Sequence, residues 1–225
     1  MRTSPVHECL NLRNTEWGEV NGMPVALRIA SGASAALQLF DLSALRRIGL
    51  KGGGAADWLR ARNVPVPERA NSWSVLPDEG IVARLGRGEF LLEDGLHGSV
   101  TSSIAGELAT PAAGVYPVLR QDAALMMRGD AVHEVLAQTC SIDLLSIPPQ
   151  ERAVALTMMA GISVTVIDVS SAHAAPCFRV WCDGTYGTYL WETLLGIAIE
   201  LGGSAAGLEA LYPGLQASGT KSNQS

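Results

Sequence analysis

A weak internal repeat is the feature that most constrains how this chain can fold. One copy covers residues 48–59 and the other covers residues 125–136. In each copy a short apolar stretch ends in a basic residue and a glycine, and a leucine (Leu59 or Leu136) lies seven positions after that glycine. Glycine permits a tight turn from a strand into a helix, and the apolar spacing beyond it is helical. The repeat therefore predicts two related half-domains.

Each copy is followed by two more segments with the pattern of strands. These segments are residues 80–85 and 89–93 in the first half, and residues 161–167 and 177–182 in the second. Gly86-Arg87-Gly88 predicts a tight hairpin turn in the first half. A helix is predicted over Tyr186 to Leu201, with Gly202-Gly203 as its end.

This order predicts an α+β fold made of two pseudo-symmetric strand-helix-strand-strand-helix half-domains packed together, each with a further strand. The predicted organisation is an irregular N-terminal arm at residues 1–36, half-domains at residues 37–120 and 121–213, and a flexible tail at residues 214–225. The tail is small and polar, without periodicity, which is typical of an unstructured end.

Composition excludes several classes of function. The chain has 225 residues with a net charge of −6, which argues against general electrostatic binding to nucleic acid. It has no apolar run of the ~18 residues that a membrane span needs. No signal peptide is visible at the N-terminus, so a cytoplasmic location is expected. The cysteines form no CxxC pair and are predicted to be reduced thiols rather than zinc ligands.

The residues that could carry chemistry favour structural roles. The run Gly52-Gly53-Gly54 matches no phosphate-binding motif and is interpreted as a turn. Cys140 follows a predicted helix C-terminus, the wrong end of the helix dipole to activate a thiol. The carboxylates of Asp78-Glu79 and Glu93-Asp94 are expected in solvated turns. No catalytic, cofactor-binding or metal-binding residue is assigned.

Two stretches resemble known proteins. Phe40 to Gly52 resembles the D-x-S-x-x-x-[KR]-x-x-[VL]-x-G opening of the glycine-cleavage T-protein and aminomethyltransferase group. Leu125 to Asp143 resembles the gamma subunit of heterotetrameric sarcosine oxidase. The resemblance continues in the same order through residues 153–166, 178–180 and 189–192. It covers roughly residues 37 to 200 and depends on the order of several motifs.

The resemblance implies the fold of the T-protein folate-binding domain and an accessory role. The gamma subunit accompanies alpha, beta and delta chains in a complex that demethylates sarcosine and passes the one-carbon unit to tetrahydrofolate. FAD, FMN, NAD and tetrahydrofolate would then belong to the partner subunits, and no cofactor is predicted on this chain. T-proteins carry an acidic pair where this sequence has Ala83 and Arg84, so the folate chemistry of that pair is not expected here.

Two alternatives remain at the level of sequence. The chain could be a stand-alone, folate-binding protein of the aminomethyltransferase type, or a gamma-like subunit of a related N-methyl amino-acid dehydrogenase. Candidate partner contacts, chosen by residue type alone, are Trp17, Trp181, Tyr186 and Trp191, because Trp and Tyr are enriched at interface cores. Packing in the protein's own core is the alternative for the same four residues.

Overall fold

A computed structural model describes residues 2–11, 14–30 and 36–215, and the structural statements below concern these residues. The helices are α1 (His7–Leu10), α2 (Ala55–Arg60), α3 (Val100–Ala105), α4 (Val132–Thr139) and α5 (Gly187–Glu200). The strands are β1 (Thr15–Val20), β2 (Met23–Ile29), β3 (Gln38–Asp41), β4 (Arg47–Lys51), β5 (Ser72–Val75), β6 (Ile81–Arg84), β7 (Glu89–Glu93), β8 (Tyr116–Val118), β9 (Ala123–Arg128), β10 (Val154–Met159), β11 (Ile162–Asp168), β12 (Cys177–Cys182) and β13 (Ser204–Ala205).

Two large sheets repeat the same strand order. Among the described residues, one sheet has the order β5-β6-β7-β4-β8 and the other has the order β10-β11-β12-β9-β3-β13. The first four strands of each sheet occupy equivalent places, which confirms the α+β fold and the pseudo-symmetry predicted from the repeat. The large sheets are antiparallel except for the parallel pair of β13 and β3. The two halves therefore share one arrangement of strands and helices.

The halves also exchange a strand. Strand β3 precedes β4 in the chain but pairs with β9 of the other sheet, and β8 precedes β9 but pairs with β4. Because of this exchange, Gly52 and Gly129 each lie against the segment that leads into the exchanged strand. A Cβ atom at Gly52 would lie 2.1 Å from the Gly114 carbonyl oxygen, and one at Gly129 would lie 2.4 Å from that of Ala36. Both glycines have positive φ, at 123° and 134°, so each turn needs glycine for conformation and for space.

The core has three parts. Helices α4 and α5 cover one face of the six-stranded sheet, with Leu190, Trp191 and Leu194 buried there. Helices α2 and α3 cover the outer face of the five-stranded sheet. The third cluster lies between the two sheets and includes Phe40, Trp73 and Trp181. The inner sheet faces thus meet across a shared core.

The described part of the N-terminal arm contains regular structure, contrary to the expectation of an irregular arm. Strands β1 and β2 form a two-stranded antiparallel sheet that turns at Asn21-Gly22. Both turn residues have positive φ, at 52° and 77°, as a tight Asn-Gly hairpin requires. Val20, Met23 and Leu27 are buried in the core between the large sheets. The hairpin therefore contributes to the fold.

Strands β5 and β10 are among the strands that the sequence pattern did not locate. Strand β5 alternates serine with an apolar residue but is only four residues long, and β10 lacks alternation because it also places the apolar Leu156 and Met158 in solvent. Each half is therefore strand-helix-three strands-helix-strand. The tail predicted at residues 214–225 falls outside the described residues beyond Leu215. None of the described helices is both long and apolar enough to cross a membrane.

We predict that Gly129→Ala will lower the free energy of unfolding by about 2–4 kcal/mol, because the methyl group would meet a backbone carbonyl at a positive-φ position. Gly53→Ala is the matched control, since a Cβ atom there meets nothing within 4 Å and φ is not positive. Denaturant unfolding of both variants measures the difference. Equal midpoints for the two variants would contradict the proposed role of the repeat glycine.

Candidate functional site

A buried cluster of charged side chains lies where the two sheets meet. The Glu93 carboxylate accepts hydrogen bonds from Arg47 Nε at 2.8 Å, Arg179 Nη1 at 2.9 Å and Trp181 Nε1 at 2.7 Å. The side chains of Glu93, Arg47 and Arg179 are 0%, 1% and 3% exposed. We call these four residues the central ion cluster. It joins one half of the molecule to the other.

The strand register explains this arrangement. Arg47 on β4 and Glu93 at the end of β7 are direct cross-strand partners in the five-stranded sheet. Arg179 and Trp181 are two residues apart on β12 of the six-stranded sheet, so their side chains emerge on the same face. Glu93 thus pairs once within its own sheet and twice across to the other.

The burial of Glu93-Asp94 corrects the expectation that these carboxylates are solvated. Asp94 is 1% exposed and caps α3, accepting hydrogen bonds from the backbone N–H of Thr101 at 3.1 Å and from its hydroxyl at 2.5 Å. Asp78 and Glu79 are exposed, as predicted. The burial of Glu93 is not predictable from its sequence neighbours, because its charged partners lie 46 and 86 positions away.

The central ion cluster leaves its carboxylate with little capacity for chemistry. Both oxygens of Glu93 are engaged, and Arg47 also donates to the carbonyl oxygens of Leu42 and Asp122 at 2.9 and 3.1 Å. Two guanidinium groups and an indole N–H donate to this carboxylate, which is buried away from solvent. It is therefore suited to holding the two sheets together.

Beside the cluster lies an open cleft of about 1150 Å³. Its walls come from the N-terminal residues 3–5, from the connection between β8 and β9, and from β10, β11 and β12. Trp181 contributes to both the cleft and the central ion cluster. We call this space the β10–β12 cleft. It leads from the solvent to the inter-sheet core.

A second, smaller depression of about 550 Å³ lies near the last described residues. It is lined by Asp78, Glu79 and His97 on one side and by Leu211 and Tyr212 on the other. Burial raises the pKa of the Tyr212 phenol. Leu211 and Tyr212 also pack against the inter-sheet core, so the last described residues cover this side of that core.

Ala83 and Arg84, where the resemblance implies an acidic pair in T-proteins, have structural roles in this chain. Ala83 is fully buried in the inter-sheet core. Arg84 donates to the carbonyl oxygens of Pro67, Glu68 and Arg87 at 3.1, 2.6 and 2.7 Å, which fastens the loops around β6. Neither side chain offers a carboxylate, so these two positions cannot bind or activate a ligand as an acid would.

The glycine run is a turn, as the sequence predicted. The Gly52 N–H donates to the Gly88 carbonyl oxygen at 2.8 Å, and the Gly54 N–H donates to that of Gly114 at 3.0 Å. Two backbone donors that a phosphate-binding loop would present to its ligand are therefore already in use. Among the described residues, no group of three or more His, Cys, Asp or Glu side chains is placed to hold a metal ion.

The cysteines are all unpaired. Burial raises the pKa of the thiols of Cys177 and Cys182 to about 12 in each case. Burial also raises the pKa of Cys9, helped by the negative charge of Glu192. Cys140 lies just after α4 and pairs its backbone with Met159, in agreement with its interpretation as a packing or loop residue.

The four candidate contact residues lie in different environments. Trp181 is 2% exposed and Trp191 is 0% exposed, so for these two the alternative of core packing is correct. Trp17 is half-buried against α1, with its ring centroid 4.5 Å from that of His7. Tyr186 is 52% exposed at the start of α5 and is available for contact. Partner binding by Trp17 and Tyr186 stays a prediction.

The fold is that of the aminomethyltransferase group, as the sequence resemblance implied. The chain superposes on glycine cleavage system aminomethyltransferase T from Bartonella henselae with a TM-score of 0.68 and 18% identity, over 93% of this chain and 60% of that one. It superposes on heterotetrameric sarcosine oxidase from Corynebacterium sp. U-96 with a TM-score of 0.64 and 19% identity, over 90% of this chain and 97% of the matched chain. The sequence matches no protein-family model and no curated protein.

The two similar proteins differ in how much of their own chain is matched. The chain spans only 60% of the aminomethyltransferase, whereas it matches a sarcosine oxidase chain almost from end to end. At this level of identity the similarity establishes the fold.

We predict that Glu93→Gln will lower the free energy of unfolding by about 3–5 kcal/mol, because it leaves two buried guanidinium groups without a countercharge. Glu89→Gln is the matched control on the same strand, where the side chain is exposed and a change of about 0.5 kcal/mol or less is expected. Urea unfolding compares the two. A Glu93→Gln variant as stable as Glu89→Gln would refute the structural role of the cluster.

We also predict that Cys177 and Cys182 will resist alkylation in the folded protein. With a pKa of about 12, only about one thiol in ten thousand is a thiolate at pH 8. Timed iodoacetamide labelling at pH 8 followed by peptide mass spectrometry should find label at Cys140 well before these two. The same protein unfolded in urea provides the control, with all cysteines labelled. Rapid labelling of Cys177 in the native state would contradict its burial.

Proposed function

We propose that this chain is a non-catalytic, gamma-type accessory subunit of a sarcosine-oxidase-like flavoenzyme complex in the cytoplasm. The complex would oxidatively demethylate sarcosine and transfer the one-carbon unit to tetrahydrofolate. The partner alpha, beta and delta chains would hold FAD, FMN, NAD and tetrahydrofolate. This chain would contribute a folded surface to the assembly.

The main support for the proposal comes from the side chains that fill the space between the two sheets. Ala83 and Arg84 replace the acidic pair, and Glu93 has both oxygens engaged by Arg47, Arg179 and Trp181. An acid or base at this place would need a free lone pair or an exchangeable proton within reach of a substrate. A fold shared with an enzyme but without that group is expected to serve binding.

The length of the match supports membership of an assembly. The aligned chain of the Corynebacterium protein belongs to a heterotetramer and is covered over 97% of its length. A chain of nearly the same extent and the same fold would fill an equivalent place in a similar complex.

A second candidate is a stand-alone, folate-binding protein of the aminomethyltransferase type. The TM-score of 0.68 to aminomethyltransferase T and the open β10–β12 cleft favour it. It predicts that the isolated chain binds tetrahydrofolate. Calorimetric titration of the purified chain with tetrahydrofolate tests this directly, and a saturable heat with one site per chain would displace the accessory-subunit proposal.

The leading proposal predicts that the affinity-tagged chain, purified from its natural source, will carry larger chains with a flavin absorption spectrum. The isolated complex should reduce a dye in the presence of sarcosine, while the chain alone should not. N-methylglutamate in the same assay distinguishes a gamma-like subunit of a related N-methyl amino-acid dehydrogenase. Purification of the tagged chain alone, under gentle conditions and from cells grown on sarcosine, would overturn the proposal.

A further inference from the structure

The two halves of the molecule can be compared residue by residue, because their sheets share one strand order. The repeat aligns Leu50 of β4 with Met127 of β9. Leu50 pairs with Phe90 of β7 in one sheet. Met127 pairs with Phe178 of β12 in the other. Phe90 and Phe178 are therefore equivalent, and each is buried on the helix-covered face of its own sheet.

The residues that lie opposite these two phenylalanines differ in charge. Phe90 pairs with Arg84, the last residue of β6. Phe178 pairs with Asp168, the last residue of β11. A guanidinium group in the first half thus corresponds to a carboxylate in the second.

In the first half the space over the phenylalanine is filled by Arg84. Its guanidinium carbon lies 5.6 Å from the centroid of the Phe90 ring, within the range of a cation–π contact. The group also donates to the carbonyl oxygens of Pro67 and Glu68 in the α2–β5 connection, and to that of Arg87 in the β6–β7 turn. One cation therefore closes the gap between this connection and the turn.

In the second half the equivalent space is open. A pocket of about 490 Å³ lies between the α4–β10 connection and the eight-residue connection from β11 to β12. Its walls are mostly apolar, with Leu144, Ile147 and Pro149 on one side, and both Phe178 and Asp168 line it. We call this space the Asp168 pocket. Its volume lies within the range of roughly 300–1000 Å³ that is typical of small-molecule sites.

The carboxylate of Asp168 has one oxygen available to a ligand. Oδ1 accepts hydrogen bonds from the N–H of Ser170 at 2.8 Å and from its hydroxyl. Oδ2 has no hydrogen-bond partner within the described ranges and remains accessible to solvent. A free carboxylate oxygen in an apolar pocket offers a cation a charge-assisted hydrogen bond.

The other titratable groups at the pocket leave this negative charge uncompensated. His133 and His173 line it, and burial lowers the pKa of His173, so that this imidazole is uncharged at neutral pH. Arg152 lines a narrow extension of the pocket, but its guanidinium carbon lies over Trp73, 5.3 Å from the ring centroid. Asp168 is thus the acidic residue that defines the charge of the pocket.

The charge of each half agrees with this difference. Residues 37–120 contain nine Lys or Arg and nine Asp or Glu, whereas residues 121–213 contain three Arg, no Lys and ten Asp or Glu. Two of those three, Arg128 and Arg179, are hydrogen-bonded to side chains that do not line the pocket. The half with the open pocket therefore has an excess of negative charge, which attracts cations.

We propose that the Asp168 pocket binds a guanidinium group carried on a short apolar chain. The cation would pair with Asp168 Oδ2 in the place that Arg84 fills in the first half, and its apolar chain would contact Leu144 and Ile147. The equivalence with Arg84 favours guanidinium over ammonium. This inference does not depend on the accessory role proposed above.

The test titrates the full-length, ¹⁵N-labelled chain with n-butylguanidinium chloride at constant ionic strength, followed by NMR. Saturable shifts are expected for backbone amides of residues 168–178. Asp168→Asn should weaken the affinity roughly tenfold, because it keeps an oxygen that can accept from Ser170 but removes the charge. The spectrum of each variant also shows whether it is folded.

Asp183→Asn is the matched control. Asp183 Oδ1 accepts from the Thr185 N–H at 2.8 Å and from its hydroxyl at 2.7 Å, so its local geometry repeats that of Asp168 at a place outside the pocket. This variant should bind n-butylguanidinium as the wild type does. Equal affinities for the two variants, or no saturable shift within residues 168–178, would overturn the proposed site.

Two further probes identify the chemistry and the source of the ligand. The neutral n-butylurea has nearly the same shape and should bind at least tenfold more weakly than n-butylguanidinium. Equal binding of both would show an apolar cavity without a cation site and would overturn the proposal. N-acetylarginine methylamide presents the same cation within a peptide. Tighter binding of this probe would identify the guanidinium as that of a polypeptide arginine, and weaker binding would identify it as that of a free small molecule.

Discussion

The hydrogen-bonded ion pairs of Glu93 with Arg47 and Arg179 are the interaction on which the rest of the molecule depends. A carboxylate and two guanidinium groups lie at the contact of two sheets with almost no access to water, so each requires the others. Buried ion pairs give limited net stability because desolvation is costly, but an unpaired member is severely destabilising. The hydrogen bonds of Glu93 to Arg179 and Trp181 therefore link the end of β7 to β12 and help to set how the two halves meet.

Much of the architecture could be predicted because it is encoded locally. The glycine that ends each repeat strand marks a turn that only glycine can adopt, and the apolar spacing beyond it gives α2 and α4. The resemblance of residues 40–52 to aminomethyltransferases led to the fold that the structural comparison confirms. The hairpin of β1 and β2 was missed although its signal was present, since Asn21-Gly22 between two apolar segments is a strong hairpin pattern.

The candidate site was harder to predict because its parts are distant in sequence. From the sequence, Glu93 is expected in a solvated turn, and neither Arg47 nor Arg179 is predicted to pair with it. Their proximity follows from pairing between sheets, which periodicity within a segment does not reveal. Trp181 and Trp191 were candidates by residue type alone, and burial shows that they serve the core. Leu156 and Met158 lie on a strand that lacked a clear pattern, so their exposure became visible only in three dimensions.

Together these features describe a fold shared with an aminomethyltransferase, in which a buried carboxylate is bound by groups from both sheets. The proposal for such a chain is that it acts as part of a larger assembly. Native mass spectrometry of the complex purified through this chain tests that account most directly. The account predicts a single assembly that contains the 23.6 kDa chain together with larger, flavin-bearing chains. A spectrum with only this chain, alone or in multiples of its own mass, would contradict it.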